Sequence, residues 1–181
     1  MRKVVLFIAM SLDGYIGDRN GGVSWLGGQD PEGAVLDTYS VFIKNVDTVV
    51  MGWKTYHQVV TELSPKEWVY EGLTSYVVTH REIPSADQII FTHQPPRELV
   101  RDLKEKPGKN IWICGGADII QPLVKADLID EYHISVIPMI LGGGIRLFQE
   151  DLEGEAAEIP LQLLRAQTYN GITELVYTHR Y

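Results

Sequence analysis

The chain has 181 residues, of which 45% are hydrophobic and 22% are charged, a composition typical of one soluble globular domain. Its net charge of −8 argues against nucleic acid or an anionic membrane as a partner, and no apolar run approaches the ~20 residues that span a bilayer. The single cysteine, Cys114, excludes an intrachain disulfide and a cysteine-rich metal site, which favours a cytoplasmic location.

The first half of the chain alternates predicted strands with predicted helices. Val4–Ala9 is a continuous apolar run, typical of a strand that is buried on both faces. Met10–Gly33 is glycine-rich and long enough to serve as a lid or a binding loop. The elements that follow are a helix over Val35–Lys44, a strand over Thr48–Met51, a helix over Trp53–Val60, and strands over Tyr76–Thr79 and Gln88–Phe91.

The second half continues the alternation and ends in a hairpin. Its predicted elements are a helix over Pro96–Lys104, a strand over Asn110–Cys114, a helix over Ala117–Lys125 and a strand over Asp130–Ile137. Leu161–Tyr169 and Ile172–Tyr181 are joined by Asn170-Gly171, a strong signal for a two-residue hairpin turn. This order predicts a single α/β domain over residues 1–181, with a mixed, mostly parallel sheet and a C-terminal antiparallel hairpin.

Three predicted strand ends carry groups suited to an anionic ligand, and such ends are where open α/β sheets bind ligands. They are Gly115-Gly116, Gly52 with Lys54 and Thr55, and Thr79 with Arg81. The diglycine leaves the backbone N–H groups of a helix start uncovered, where a pyrophosphate can bind. Lys54 and Arg81 suit a further phosphate, which favours NADPH over NADH. Each group also has an ordinary interpretation, as a tight turn, a solvated helix residue or a loop charge.

Several segments, in the same order along the chain, resemble the dihydrofolate reductase-like superfamily. The closest resemblance is to the reductase domain of the bifunctional bacterial enzyme of riboflavin biosynthesis. The segments are Ile8–Gly17, Val50–Tyr56, Cys114–Ala117, Leu128–Glu131 and Pro138–Gly144 followed by Leu147-Phe148. In the second segment Trp53 replaces the arginine that is usual in the family, so that an indole either stacks on adenine or packs on the sheet. The resemblance implies a three-layer α/β/α fold, NADPH as cofactor and a homodimer.

The resemblance also implies roles for particular residues. It assigns the nicotinamide pocket to Ala9, Ile16 and Gly17; the adenosine 2′-phosphate and ribose to Lys54, Thr55, Thr79 and Arg81; and the pyrophosphate to Gly115, Gly116, Ala117 and Asp118. Gly52 permits the sharp turn from strand to helix beside them. Recognition of a ribosyl phosphate would need another cationic group, for which Arg146 is a candidate and Arg2 and Arg19 are weaker ones.

The helix after the first loop carries an acid in dihydrofolate reductases, and here it offers Asp37 as the catalytic or substrate-binding carboxylate. Asp37 is offset by one position from the family's acid, a rotation of about 100° on a helix, so it points either into the cleft or into water. Asp30 and Glu32 are nearby alternatives. Trp25 either closes over the substrate or anchors the loop.

The leading functional hypothesis is an NADPH-dependent reductase. Its substrate would be a pterin or an aminopyrimidine of the riboflavin pathway, as in a 5-amino-6-(5-phosphoribosylamino)uracil reductase. The alternatives are a reductase of another small heterocycle or carbonyl, and a nucleotide-binding module on the same fold without catalysis. The histidines lack metal-ligand spacing, so no metal is predicted.

Overall fold

An eight-stranded mixed sheet organises the protein, which a computed structural model describes over residues 1–149 and 158–180. The strands of this sheet are β1 (Val4–Ser11), β3 (Val46–Gly52), β4 (Thr74–Val78), β5 (Ile89–Thr92), β6 (Asn110–Gly115), β7 (Glu131–Ile137), β9 (Leu161–Tyr169) and β10 (Ile172–His179). Their order is β5-β4-β3-β6-β1-β7-β10-β9. The strands from β5 to β7 are parallel, and β10 is antiparallel to β7 and β9.

Helices cover both faces of the sheet, which confirms the predicted α/β class and layering. They are α1 (Thr38–Ile43), α2 (Trp53–Gln58) with a π-helical turn at Val59–Leu63, α3 (Pro96–Glu105) and α4 (Ala117–Lys125). The apolar stripes of α3 and α4 pack on one face of the sheet, whereas Phe42 of α1 packs on the other. In the described ranges, no helix has the length and apolar character needed to cross a membrane.

Strand β1 is buried on both faces, as its continuous apolar run predicts. Val4 and Leu6 contribute to the core beneath α3 and α4, whereas Val5 contributes to the core on the α1 face. Beyond Val5 on the α1 face lie Phe7 and then Ala9, because alternate residues of a strand share a face. Ala9, near the carboxyl end of β1, therefore lies on the face of the sheet that α1 covers.

Some element boundaries differ from those predicted. The first helix begins at Thr38 rather than Val35, because Asp37 caps it and the Val35 side chain is exposed. The last strand ends at His179, and Tyr181 lies outside the described residues. A small antiparallel pair, β2 (Tyr15–Gly17) with β8 (Ile145–Arg146), was not predicted, since strands of three and two residues show no detectable alternation.

The hairpin turn at Asn170-Gly171 forms as predicted and also fixes the first long loop. Asn170 and Gly171 have φ angles of 48° and 75°, the left-handed region that this turn requires. The Asn170 side chain accepts a hydrogen bond from the N–H of Asp30 at 2.9 Å and donates one to the Asp30 carbonyl at 2.7 Å. The backbone carbonyl of Asn170 accepts a hydrogen bond from the N–H of Gln29 at 3.0 Å. The loop is therefore tied to the far edge of the sheet.

Replacing Asn170 tests this tie. Asn170→Ala removes both side-chain hydrogen bonds and places a residue with a Cβ at positive φ, so the free energy of unfolding should fall by roughly 1–3 kcal/mol. Asn170→Gly is the matched control, since it loses the bonds but keeps the backbone conformation without strain. Urea denaturation measures both variants. Two variants as stable as the wild type would show that the tie contributes nothing.

Candidate active site

The three predicted strand ends lie side by side in the structure. Strands β4, β3 and β6 are neighbours and parallel, so their carboxyl ends meet at one edge of the sheet. The ends of β3 and β6 approach closely, since a Cβ added to Gly52 would lie 3.3 Å from the Ile119 side chain. A Cβ added to Gly116 would lie 3.6 Å from the Thr55 hydroxyl. The absence of side chains at these glycines leaves a cradle of backbone at the sheet edge.

The diglycine connects β6 directly to α4. Gly115 has a φ of 123°, a conformation that favours glycine, and its peptide bond to Gly116 is cis. The Gly116 carbonyl accepts hydrogen bonds from the N–H groups of Ile119 and Ile120, which begins the helix. The preceding N–H groups of the first turn have no partner within a helix and carry the positive end of its dipole. This cradle therefore fits a pyrophosphate.

Two cationic residues, Arg81 and Lys54, lie near the cradle. The Arg81 guanidinium lies 4.8 Å from the centre of the Trp53 ring, a cation–π arrangement. Lys54 follows Trp53 in the sequence. Its side chain is 91% exposed and forms an ion pair with Asp118 on α4 at 3.9 Å. Trp53 itself packs against the core on the α1 face. At the position where the resemblance implies an arginine, the indole thus contacts Arg81, which follows the neighbouring strand β4.

Thr79 lies behind Arg81 rather than beside it. Its side chain is buried, and its hydroxyl accepts a hydrogen bond from the backbone N–H of Arg81 at 3.1 Å. This contact shapes the turn that carries the guanidinium over Trp53. Direct contact of Thr79 with a phosphate stays a prediction, as do the cofactor contacts of Thr55, Ala117 and Asp118.

The residues predicted to line the nicotinamide pocket lie on β1 and β2. Ala9 is near the end of β1, and Ile16 and Gly17 belong to β2, which pairs with β8. Gly144, with φ 137°, permits the approach of the glycine-rich loop, because a Cβ there would lie 2.2 Å from the Gly17 carbonyl oxygen. The loops after β1 and β7 are thereby held together over the carboxyl end of β1.

Asp13 fastens the same two loops. Its carboxylate accepts hydrogen bonds from the Ser11 hydroxyl at 2.7 Å and from the N–H groups of Leu141 and Gly142 at 3.1 and 2.8 Å. The Ser11 hydroxyl, followed by these N–H groups, lowers the pKa of Asp13 to about 2. At neutral pH the carboxylate is therefore ionised and the fastening is complete.

A cavity of about 270 Å³ lies beneath α1, on the sheet face formed by β1, β7, β10 and β9. The polar residues that concern its chemistry are Asp37, His133, Ser135, Arg165, Gln167 and Glu174, and Phe7 and Phe42 supply aromatic surface. Ser135 pairs with Ala9 across the β1–β7 ladder. Since neighbouring strands are about 4.8 Å apart, the cavity begins one strand away from the predicted nicotinamide pocket.

Glu174 is the buried carboxylate of this cavity, with a relative exposure of 6%. It accepts hydrogen bonds from the Thr38 hydroxyl and the Gln167 amide, both at 2.5 Å, and from the Ser135 hydroxyl at 3.5 Å. The sequence analysis missed Glu174. The available signal was its place between Ile172 and Val176, where an alternating strand directs a charged residue to the same face as two buried apolar ones.

Asp37 also lines the cavity, but as the exposed N-cap of α1. Its carboxylate accepts hydrogen bonds from the hydroxyl of Ser40 at 2.5 Å and from its N–H at 3.0 Å. These two contacts, the hydroxyl first, lower the pKa of Asp37 below its usual value. A lowered pKa makes Asp37 a poor proton donor at neutral pH, although it leaves the carboxylate available as a hydrogen-bond acceptor for a ligand.

The first residue of β7, Glu131, lines the cavity and has a hydrogen-bond partner on each carboxylate oxygen. His133 contacts the Glu131 carboxylate at 3.0 Å, and Lys3 donates to its other oxygen at 2.6 Å. The His133 hydrogen bond is the main cause that lowers the pKa of Glu131 to about 2. Glu131 is thus an ionised group with partners on both oxygens.

The other candidate residues have structural partners. The Trp25 indole donates a hydrogen bond to the Gly22 carbonyl at 3.0 Å, within its own loop. Arg146 lies over the Tyr15 ring, Arg19 donates to the Gly142 carbonyl, and the buried Arg2 binds Asp47 and Thr48. Within residues 1–149 and 158–180, no group of three or more His, Cys, Asp or Glu side chains could hold a metal ion.

Comparison with known proteins shows what the chain is similar to. The family model of the RibD C-terminal domain matches residues 2–173. The uncharacterized protein YwjB of Bacillus subtilis (strain 168) is 41% identical over 152 residues, which cover 82% of this chain and 84% of that protein.

Solved structures show the same fold. A Shewanella sp. PV-4 protein has a TM-score of 0.82 and 30% identity, with 99% of both chains covered. Dihydrofolate reductase from Enterococcus faecalis, complexed with NADP(H), has a TM-score of 0.69 and 16% identity, with 99% of this chain and 97% of that chain covered. The second likeness concerns the fold alone, and its NADP(H) belongs to that protein.

Proposed function

The chain belongs to the RibD C-terminal domain family, and on that premise we propose that it is an NADPH-dependent reductase of a small heterocycle. The family and the reductase-like neighbours support a reductase-like role. One observation carries the proposal further, namely the pairing of Ala9 with Ser135. It sets Ala9, which is predicted to line the nicotinamide pocket, one strand away from a cavity that contains a buried carboxylate. A cofactor cleft beside such a cavity favours an enzyme over a nucleotide-binding module.

Hydride transfer requires two rings held face to face and a proton source near the acceptor. When bound, NADPH would supply the hydride. The chain's own residues do the rest: the diglycine cradle holds the pyrophosphate, Lys54 and Arg81 hold the 2′-phosphate, and the loops fastened by Asp13 exclude water. Asp37 and Glu174 line the adjoining cavity, where they orient the substrate.

A panel of substrates tests the proposal directly. Loss of NADPH absorbance should be observed with at least one of dihydrofolate, dihydrobiopterin and 5-amino-6-(5-phosphoribosylamino)uracil, the pterin and riboflavin-pathway classes under consideration. Tight NADPH binding without turnover on a wider set of heterocycles and carbonyls would instead favour the binding module. The predicted homodimer is a separate question, which sedimentation velocity answers.

The cations around Trp53 should give a preference for NADPH over NADH of more than about tenfold, because charge-assisted hydrogen bonds contribute roughly 1.5–3 kcal/mol each. Lys54→Ala and Arg81→Ala should each weaken NADPH binding by about tenfold and leave NADH binding unchanged. Lys66→Ala, which removes an exposed lysine of the same charge elsewhere, is the control. Calorimetry that finds equal affinity of the wild type for both cofactors would contradict the assignment.

The diglycine cradle predicts the effect of Gly116→Val. Gly116 has a φ of −78°, which valine also adopts, so the backbone angle itself does not strain the variant. The branched side chain would fill the space above the strand end and should weaken NADPH binding more than about tenfold. Circular dichroism and thermal melting establish that the variant is folded. If the folded variant binds NADPH as the wild type does, the diglycine is structural only.

The role of Asp37 is tested by Asp37→Asn. Asparagine caps helices as well as aspartate does, so α1 should be retained. If Asp37 relays the proton or anchors the substrate, turnover should fall by about 10²-fold or more while NADPH affinity is unchanged. If it relays the proton, the loss should shrink at low pH as solvent supplies the proton. Glu105→Gln on α3 is the control. Full activity of Asp37→Asn would reduce Asp37 to a helix cap and leave the role to water, to Glu174 or to a loop carboxylate such as Glu32.

A further inference from the structure

We infer that the cavity beneath α1 selects an aromatic heterocycle that is uncharged or cationic and offers N–H donors to Glu174, and that it rejects ligands carrying a phosphate. This inference rests on the proposed function, since it names the substrate class of the same site. It separates the two substrate classes considered above, because the riboflavin-pathway aminopyrimidine carries a ribosyl phosphate and a pterin ring does not.

The charge of Glu174 has no cationic partner. Its three hydrogen-bond donors, Thr38, Gln167 and Ser135, are all neutral. None of the ion pairs found in the described part of the chain includes Glu174. A buried carboxylate without a counter-charge is costly, so a ligand that brings a cation or N–H groups to it is stabilised.

The rest of the cavity opposes an anion. Asp37 and Glu131 add two further carboxylates to its lining, and Glu131 is already engaged with Lys3 and His133. Arg165 is the one arginine among the described lining residues, and it is exposed at the rim. A phosphate dianion entering this cavity would meet the carboxylates of Glu174 and Asp37, neither of which belongs to an ion pair found among the described residues. Lys54 and Arg81 lie at the other strand ends. The field therefore discriminates by the charge of the ligand.

The geometry of the sheet suits a flat ring that lies across its strands. Ala9, Ser135, Glu174 and Gln167 form a continuous row across β1, β7, β10 and β9. Two strand spacings, about 10 Å, separate Ala9 from Glu174, which a fused bicyclic ring and its exocyclic groups would bridge. The stacked rings of Phe7 and Phe42, with centroids 4.2 Å apart, form an apolar wall along one side. The donor edge of the ring would then contact Glu174 while its other end lies near Ala9.

Four probes of one shape test the selection by charge. Benzamidine, benzamide, benzoate and phenyl phosphate have similar size but are cationic, neutral, anionic and dianionic, and ligand-observed NMR titration measures their weak binding without turnover. Benzamidine should bind at least tenfold more tightly than benzoate, with phenyl phosphate weakest. Glu174→Gln should remove most of that advantage, whereas Glu105→Gln on α3 should keep it.

The outcomes divide cleanly. Equal affinities of the four probes for the wild type, or tighter binding of phenyl phosphate, would overturn the inference even if Glu174→Gln fails to fold. A folded Glu174→Gln that keeps the preference for benzamidine would also overturn it. The same samples are titrated with NADPH, which should bind wild type and Glu174→Gln alike. If the wild type does not bind NADPH, the proposed function is wrong. The probe results would still decide the selectivity of the cavity.

Discussion

The parallel pairing of β4, β3, β6, β1 and β7 is the constraint on which both parts of the candidate site depend. Each parallel connection must return across the sheet, so every one of these strands ends at the same edge. The diglycine, the Lys54 turn and the Arg81 turn meet there only because their strands are neighbours. The same pairing sets Ala9 opposite Ser135, and antiparallel β10 then sets Glu174 opposite Ser135. The candidate cofactor cleft and the cavity are consequences of one register.

Close backbone approach at this edge depends on side chains that are absent. The glycine-rich loop reaches β2 only because Gly144 has no Cβ, and the ends of β3 and β6 come together over Gly52 and Gly116. Each of these positions is a local sequence signal, since a glycine that ends an apolar run is visible in the chain. For this reason the strand ends, the order of elements and the hairpin turn were predictable from the sequence, together with the fold class.

The cavity was not predictable in the same way. The role of Glu174 depends on hydrogen bonds from Thr38, Ser135 and Gln167, which lie on three other elements. Thr38 and Ser135 are also far from Glu174 in the sequence. No periodicity within β10 encodes which residues flank it laterally.

The start of the first helix, which Asp37 caps, was difficult to predict for another reason. Val35 and Leu36 extend an apolar pattern that belongs to a helix, although the chain turns helical only where the Asp37 side chain can cap it. The roles of the predicted contact residues in binding stay predictions.

The distribution of charge gives the site its internal logic. A chain with a net charge of −8 could hold an anionic cofactor only by local donors, and the candidate donors lie together at the strand ends of β3, β4 and β6. The adjoining cavity repeats the sign of the whole molecule, with carboxylates from α1, β7 and β10. If the cofactor binds as proposed, a phosphate stabilised at these strand ends would be repelled by the carboxylates of the cavity. The boundary between them lies where Ala9 meets Ser135, which is where the proposed hydride transfer would take place.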